Sequence, residues 1–479
     1  MLDTNDLIYE FLKTEREETL QVAVVGDILI DEYYEVSVSR ISPEFPVPVM
    51  RSRNHGHPKS VMPGGAALTA WNLTPFNTEI TLFGCADAWA AEQIELFGFD
   101  VEWEDNGEWS PRKRRFYDQD FALPRWDVEN LGDVDGTKWQ QARESLYNRI
   151  ESYVEETEPD IIILSDYGKG LFRDRFAQDI IDLCNDLEIP TLVDPKHEPL
   201  SQWRRSTIFK PNQKEAQAFA EKHTDGYIDN LVEELKCNAV VVTDGGKGVY
   251  TYPTNAPKSH YTISKPISGH PLGYSGAGDC FAAVYAIAYA QGYDFREASI
   301  IAYNAAAVYV QNKYNNPATP HTIRKLLDPI EAKIFHNPGD LATVLRQCPG
   351  PRIFTNGCFD LLHKGHLHIL QKAKELNGTV IVGVDSDDNV RRLKGKDRPI
   401  KPLDERMQVM ASLQFVDFVT QFTGTPDKLI SKLLPIRFLV KGGDHSADEV
   451  IGGDLVSEVV IVPTLEGAST TNTINTIKS

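Results

Sequence analysis

Two short stretches of the chain concentrate residues able to do chemistry on phosphates. In the first, Ser275, Gly276, Ala277 and Gly278 form a small-residue turn that runs through Asp279 into an apolar helical stretch reaching Gly292. A helix start presents unpaired N–H groups and partial positive charge, and residues without bulky side chains let a phosphate approach them. Asp279 beside such a hole can accept the proton of an attacking hydroxyl while the turn stabilises a transferring phosphoryl group. Standing alone, a GAGD turn reads as a helix start capped by its own Asp. The second stretch, RIFTNGCFDLLHKGHLHILQKAKEL from Arg352 to Leu376, reads as a strand, a tight turn at Asn356 and Gly357, then His363 and His366 opening an amphipathic helix. With Gly365 between them, the two imidazoles can face a bound triphosphate and donate to its α-phosphate as charge develops. A zinc reading of His363, His366 and His368 lacks a nearby carboxylate or Cys partner, and His368, off the shared helical face, reads as core.

Such groups need scaffolds. The chain has 479 residues, with 49 Lys+Arg against 69 Asp+Glu, a net charge of −20 that argues against a nucleic-acid-coating protein. Its length suggests about two to four domains. Hydrophobic residues at 41% and charged residues at 25% are ordinary globular usage. Apolar runs such as Phe281 to Ala290 fall short of a membrane span, and the acidic start does not resemble a signal peptide, so a cytoplasmic protein without membrane partners is expected. Six scattered cysteines form no CxxC pair and read as reduced thiols.

Strand-like runs at Val22 to Val25, Ile80 to Phe83, Ile161 to Leu164, Thr191 to Val193, Ile208 to Phe209 and Ala239 to Val242 alternate with helical stretches. Four more follow, at Arg352 to Thr355, Val380 to Val384, Phe438 to Val440 and Val459 to Val462. This alternation predicts an α/β fold with parallel sheets covered by helices. Pro-Gly and Pro-Gly-Pro around one short amphipathic piece predict a break, giving domains at 1–336 and 351–479 and a linker at 337–350.

Further polar clusters follow the apolar runs of the first domain: Asp27 and Asp31, a second Gly turn at Pro63, Gly64 and Gly65, then LSDYGKG (Ser165 to Gly170), VDPK to Lys196 and KPNQKE (Lys210 to Glu215). All are therefore expected at strand carboxyl ends, where open α/β sheets bind ligands. This set resembles the ribokinase-type sugar kinases, and SRISPEFPVPV, PGGAA and LSDYGKG resemble their heptose-7-phosphate kinase branch over about residues 20–330. The resemblance implies Asp279 as catalytic base and Gly276, Ala277 and Gly278 as anion hole. It implies Asn212 and Glu215 near ATP and Mg2+, and Lys196, Thr243 and Gly245 along the nucleotide. Asp27 would bind sugar hydroxyls beside the Gly64–Gly65 turn, and Lys113 with Arg115 would hold the sugar's existing phosphate. The competing reading of that basic pair is a solvated stretch. Departures fall in the sugar pocket: Leu68 replaces an amide, Glu32 replaces an expected Arg, and Cys85 to Asp105 is shortened.

GxFDxxHxGHxxxL resembles the cytidylyltransferase-like nucleotidyltransferases, and the motifs after it follow the order of the heptose-1-phosphate adenylyltransferase module. That likeness implies a Rossmann-like HxGH domain in which His363 and His366 stabilise the α-phosphate and Thr355, Asn356 and Phe359 line the nucleotide cradle. Lys394 would neutralise phosphate charge, Arg406 would lie near the nucleotide, Ser469, Thr470 and Thr471 would cap phosphates, and Lys441 and Asp444 would hold the sugar phosphate. The whole chain is thus similar to the bifunctional heptose-7-phosphate kinase/heptose-1-phosphate adenylyltransferases. The likeness implies two ATP-using reactions on small sugar phosphates, a homodimer, and an ADP-activated heptose for lipopolysaccharide core or a related glycan. Two alternatives stay open at this point: a different sugar phosphate, or a silent kinase-like scaffold carrying an active nucleotidyltransferase.

Overall fold

The computed structural model describes residues 4–12, 19–119, 121–129, 136–196, 199–219, 227–263, 275–312, 315–346, 348, 350–443 and 446–463. Contacts divide the chain into two units, Met1–Ile323 and Arg324–Ser479. Among the described residues, no helix is long and apolar enough to cross a membrane.

In the first unit the strands are β1 (Leu20–Gly26), β2 (Ile28–Ile41), β3 (Pro48–Ser52), β4 (Ser60–Gly65), β5 (Thr78–Cys85), β6 (Asp100–Glu104), β7 (Arg112–Asp118), β8 (Phe121–Val128), β9 (Ile161–Ser165), β10 (Thr191–Asp194), β11 (Ile208–Phe209), β12 (Ala239–Thr243), β13 (Val249–Pro253) and β14 (Ser259–Tyr261). The main sheet runs β14-β13-β12-β11-β10-β9-β1-β5-β6. It is parallel from β12 to β6. Its central strands are buried along nearly their whole length, IIILS of β9 at every residue, because helices cover both faces. One such helix, Thr137–Thr157, buries Trp139, Ala142, Leu146, Ile150 and Val154 along one stripe and ends where Glu158 turns left-handed at φ 48. The strand order reverses between β1 and β9, so a crevice opens there at the carboxyl ends.

A second sheet, β3-β2-β7-β8 with β4 on β2, rises as a lid. Its strands are hard to read from sequence, because segments such as RKRRFYD of β7 carry neither a continuous apolar run nor a polar–apolar alternation. Pairing of β2 with β7 sets Asp31 beside Lys113 and Tyr33 beside Arg115, which puts these four on one face. Glu32, Arg112 and Arg114 occupy the other, where Glu32 accepts from Arg114 at 2.7 Å and lies 3.9 Å from Arg112.

The second unit has β15 (Ile334–Phe335), β16 (Arg352–Gly357), β17 (Thr379–Asp385), β18 (Phe418–Phe422), β19 (Phe438–Gly442) and β20 (Glu458–Val462), ordered β15-β18-β17-β16-β19-β20. All pairs are parallel. The order reverses between β16 and β19, again opening a crevice. The boundary differs from the one expected. β15 already belongs to this sheet, and the segment expected as a linker carries the helix Pro338–Leu345, capped by Asn337 and started by its proline. That helix buries Leu341 and Leu345 with Leu429, Ile430 and Leu433, which is why the segment is structured.

Candidate active sites

The kinase-like crevice is built on the helix Ala277–Ala290. Gly276 caps it at φ 94, a left-handed conformation that an L side chain resists. A Cβ there would lie 2.3 Å from Tyr309 Oη and 2.6 Å from Leu68 Cδ2. Leu68, where an amide was expected to face the sugar, therefore packs under the turn. A methyl added at Gly278 would meet nothing nearer than Lys210 Nζ at 3.9 Å, so the first-turn N–H groups face open space beside an ammonium.

Asp279 is 3% exposed. Tyr167 donates its hydroxyl to Oδ1 at 2.5 Å and Thr69 to the same oxygen at 3.2 Å. Burial raises the Asp279 pKa, opposed by the Tyr167 bond and by the charges of Lys210 and Lys113. Lys210 is itself buried and pairs with Asp194 at 2.9 Å. Asp194 is pushed up to about 7 by burial, with Lys210 opposing and Asp279 adding to the rise. Neither Tyr167 nor Lys210 was singled out from sequence, although both stand inside the motifs LSDYGKG and KPNQKE.

Asp27 lies at the switch point. Its Oδ2 accepts from the N–H groups of Tyr167 (2.9 Å) and Lys169 (3.0 Å), and Oδ1 from Leu171 (3.2 Å). The carboxylate expected on sugar hydroxyls is thus a clamp on the loop that carries Tyr167. Burial, then the charge of Asp166, push it up to about 6 against those three bonds. Gly65, at φ 61, lets the helix Ala66–Leu73 start against this turn, because a Cβ would fall 2.4 Å from Asp27 O. Gly64 sits beside Asp31.

The lid supplies the basic pair. Arg115 donates to Asp31 Oδ1 at 2.7 Å and to Ser275 Oγ at 3.0 Å, tying the lid to the Gly turn. Lys113 places its ammonium 4.9 Å from the Tyr167 ring centre, and burial lowers its pKa. The solvated-stretch reading fails because β7 turns Lys113 and Arg115 inward.

On the side where the nucleotide was expected, Asn212 and Thr243 form a backbone bridge at the ends of β11 and β12, and Gly245 follows at φ 51. Asn212 Oδ1 accepts from the N–H groups of Lys214 and Glu215, while Glu215 accepts from Asn212 N at 2.9 Å and from Lys196 Nζ at 2.8 Å. These residues form a reciprocal cap on the helix Gln213–Phe219. Among the described residues no group of three or more His, Cys, Asp or Glu side chains is arranged to hold a metal ion.

In the second unit His363 caps the helix Lys364–Glu375, its Nδ1 accepting from Gly365 N at 3.2 Å. A neutral His363 therefore carries its proton on Nε2. The His366 ring stacks on it at 3.8 Å between centroids, and Phe359, left-handed at φ 47, sits 5.2 Å from His366. Burial, then the charge of His363, lower His366 to about 4; burial alone lowers His363. Across the switch point Lys441 donates to Asn356 Oδ1 at 2.6 Å, and burial lowers its pKa. Thr355 is buried inside β16 and Lys394 ends an exposed helical turn.

Arg406, expected near the nucleotide, is turned into the protein. It is 1% exposed and donates to Lys401 O, to Cys358 O at 2.6 Å and to Asp387 at 2.7 Å, fixing the loop after Gly357 from below. Asp360, not singled out from sequence, accepts from Ile400 N at 2.8 Å, Lys401 N at 3.0 Å and Arg398. Asp444, Ser469, Thr470 and Thr471 lie outside the described residues.

Fold and centres define a sugar kinase joined to a nucleotidyltransferase. The PfkB carbohydrate kinase family matches residues 140–322 and the cytidylyltransferase-like family residues 354–463. The Escherichia coli phosphofructokinase-2 crystal structure shares the kinase fold, with a TM-score of 0.52 and 16% identity over 65% of this chain and 98% of that one. The bifunctional protein HldE of Helicobacter hepaticus is 33% identical over 96% of both chains, and that of Aliarcobacter butzleri 32% over 95% of this chain and 97% of its own. The chain belongs to the bifunctional HldE family, heptose-7-phosphate kinases fused to heptose-1-phosphate adenylyltransferases.

Proposed function

We propose that the two centres divide the work of making an ADP-activated heptose as follows. In the first unit Asp279 takes the proton of the anomeric hydroxyl of heptose 7-phosphate, whose oxygen attacks the γ-phosphorus of ATP as ADP leaves. The N–H groups opened by Gly276, Ala277 and Gly278, with Lys210 beside them, stabilise charge on the transferring group. Lys113 faces the acceptor's phosphate, while Arg115 holds the lid against the Gly turn. Lys196, Thr243 and Gly245 flank the nucleotide. In the second unit a phosphate oxygen of heptose 1-phosphate attacks the α-phosphorus of a second ATP and pyrophosphate leaves. His363, through Nε2, and His366 donate to the α-phosphate oxygens, Lys441 meets the sugar phosphate beside Asn356, and Lys394 faces the departing phosphates.

Mg2+ binds through one or two carboxylates together with substrate phosphates and keeps several waters, a requirement that Glu215 and Asp194 fit without a closed protein cage. Bound there, it would neutralise phosphate charge. The enzyme is read as a cytoplasmic homodimer. Ile41, Phe45, Val47 and Met50 near one edge of the lid sheet, and Phe121 and Trp126 on β8 at the other, are exposed apolar side chains that a second copy would cover.

The observation that supports this reading most directly is that each crevice sets its proton-handling group at a helix start, Asp279 in one and His363 with His366 in the other. Asp279→Asn is expected to cost roughly 10²-fold or more in kinase rate and to spare adenylyl transfer, and His366→Ala the reverse. Loss of both activities from either change in a folded protein would defeat the two-centre reading.

A further inference from the structure

The kinase base is gripped on one side only. Tyr167 Oη and Thr69 Oγ1 both donate to Oδ1 of Asp279, and Oδ2 accepts from none of the described residues. Tyr167 has little freedom to do otherwise. Its N–H is held by Asp27 at 2.9 Å, and its ring packs under Lys113 at 4.9 Å. Burial, then the charge of Asp279, raise its pKa well above the ordinary 10, so the phenol remains a donor at any working pH.

We propose that Tyr167 is a positioning residue for phosphoryl transfer: with Thr69 it pins Oδ1 of Asp279, leaving Oδ2 alone to receive the acceptor's proton. The inference rests on Asp279 being the base. In the step, the anomeric O–H bond breaks as the proton passes to Oδ2, the oxygen bonds to the γ-phosphorus, and the bond to ADP breaks. The protonated carboxyl then returns its proton to solvent.

The hydroxyl also sets the strength of the base. Groups facing Asp279 include Lys210 and Asp194 from the strand ends, Lys113 from the lid, Tyr309 from the helix Phe295–Tyr309, and Cys280 on its own helix. Asp31 adds its charge around Tyr167. Against this background an O–H donor favours the ionised carboxylate, and its removal favours the protonated form, which cannot act as base.

The test uses the full chain with heptose 7-phosphate and ATP, comparing wild type with Tyr167→Phe, Thr69→Val and Asp279→Asn across pH 5.5 to 9, with thermal melting alongside. Tyr167→Phe should lower kinase kcat about tenfold near neutral pH and shift the acid limb of kcat/KM upward by roughly one pH unit, from the strength of a hydrogen bond to a charged group. Rate should recover partly at high pH, with KM for ATP and adenylyl transfer unchanged. Thr69→Val should shift the limb the same way by less, so an unstable Tyr167→Phe still leaves a reading. A wild-type profile in both variants, or a loss equal at every pH, would overturn the proposal. If Asp279→Asn itself retains kinase activity, the base assignment fails instead, and the two failures are distinguishable.

Discussion

Two glycines in the kinase turn separate packing from chemistry. At Gly276 the backbone sits at φ 94, where an L side chain costs about 1–2 kcal/mol. A methyl there would also meet Tyr309 Oη at 2.3 Å and Leu68 Cδ2 at 2.6 Å, an overpacking of about 1–3 kcal/mol. Gly276→Ala should therefore destabilise the first unit by roughly 2–5 kcal/mol, on the order of 10 °C in Tm. Gly278 has no positive φ, and its methyl would meet nothing nearer than Lys210 Nζ at 3.9 Å. Gly278→Ala should fold as well as wild type or gain up to about 1 kcal/mol of helix propensity. Its methyl nevertheless occupies the approach to the first-turn N–H groups, and losing such donors costs roughly 10²- to 10³-fold in kcat. Thermal melting and ADP release would be measured on both variants, with adenylyl transfer as internal control. Near-wild-type kinase activity in folded Gly278→Ala would refute the claim that a phosphoryl group approaches this turn. A Gly278→Ala chain as unstable as Gly276→Ala would refute the packing account.

Two further outcomes follow from the same reasoning. His366 is held at about 4, below the ordinary 6.5, so the unfolded chain binds more protons between those values. Its contribution is full above pH 6.5 and is lost as pH falls towards 4. The second unit should therefore lose roughly 2–3 kcal/mol more between pH 7 and 4.5 than a His366→Asn chain does, by urea unfolding at both pH values; equal losses would contradict the burial argument. Trp126→Glu combined with Phe45→Glu should halve the mass seen by light scattering if the lid surface joins two copies, and an unchanged mass would place the contact elsewhere.

Strands buried on both faces were readable because they are continuous apolar runs: Val22 to Val25 and Ile161 to Leu164 appear in the sheet as expected. The lid was not, because a sheet with one face toward a polar crevice has no such run. RKRRFYD of β7 looks like a solvated basic stretch until its register with β2 sends Lys113 and Arg115 one way and Arg112 and Arg114 the other. Motif spacing placed Asp279, His363 and His366 at helix starts, where the structure has them, because a helix start is a local feature. It gave no sign of the partners of Arg406 and Asp27, which depend on what the folded chain brings to them: three acceptors around one guanidinium, three N–H groups around one carboxylate. Tyr167 escaped notice for the same reason, since its partner Asp279 is more than a hundred residues away, at a sequence separation of 112.

The two crevices share a plan and differ in the group at the helix start, and the acceptors explain the difference. A sugar hydroxyl is protonated at neutral pH, so phosphoryl transfer to it needs a base, the role proposed for Asp279, whose pKa burial raises. A sugar phosphate arrives already ionised and needs no base. What adenylyl transfer needs is donors for charge accumulating on the α-phosphate, the role proposed for the two stacked imidazoles, with Lys441, bonded to Asn356, proposed for the sugar phosphate. The nearest motif carboxylate, Asp360, is consistent with this, since its oxygens are taken by Arg398 and by the N–H groups of Ile400 and Lys401. It holds a loop, so its charge is already met by protein donors and it is not available as a base for the proposed transfer.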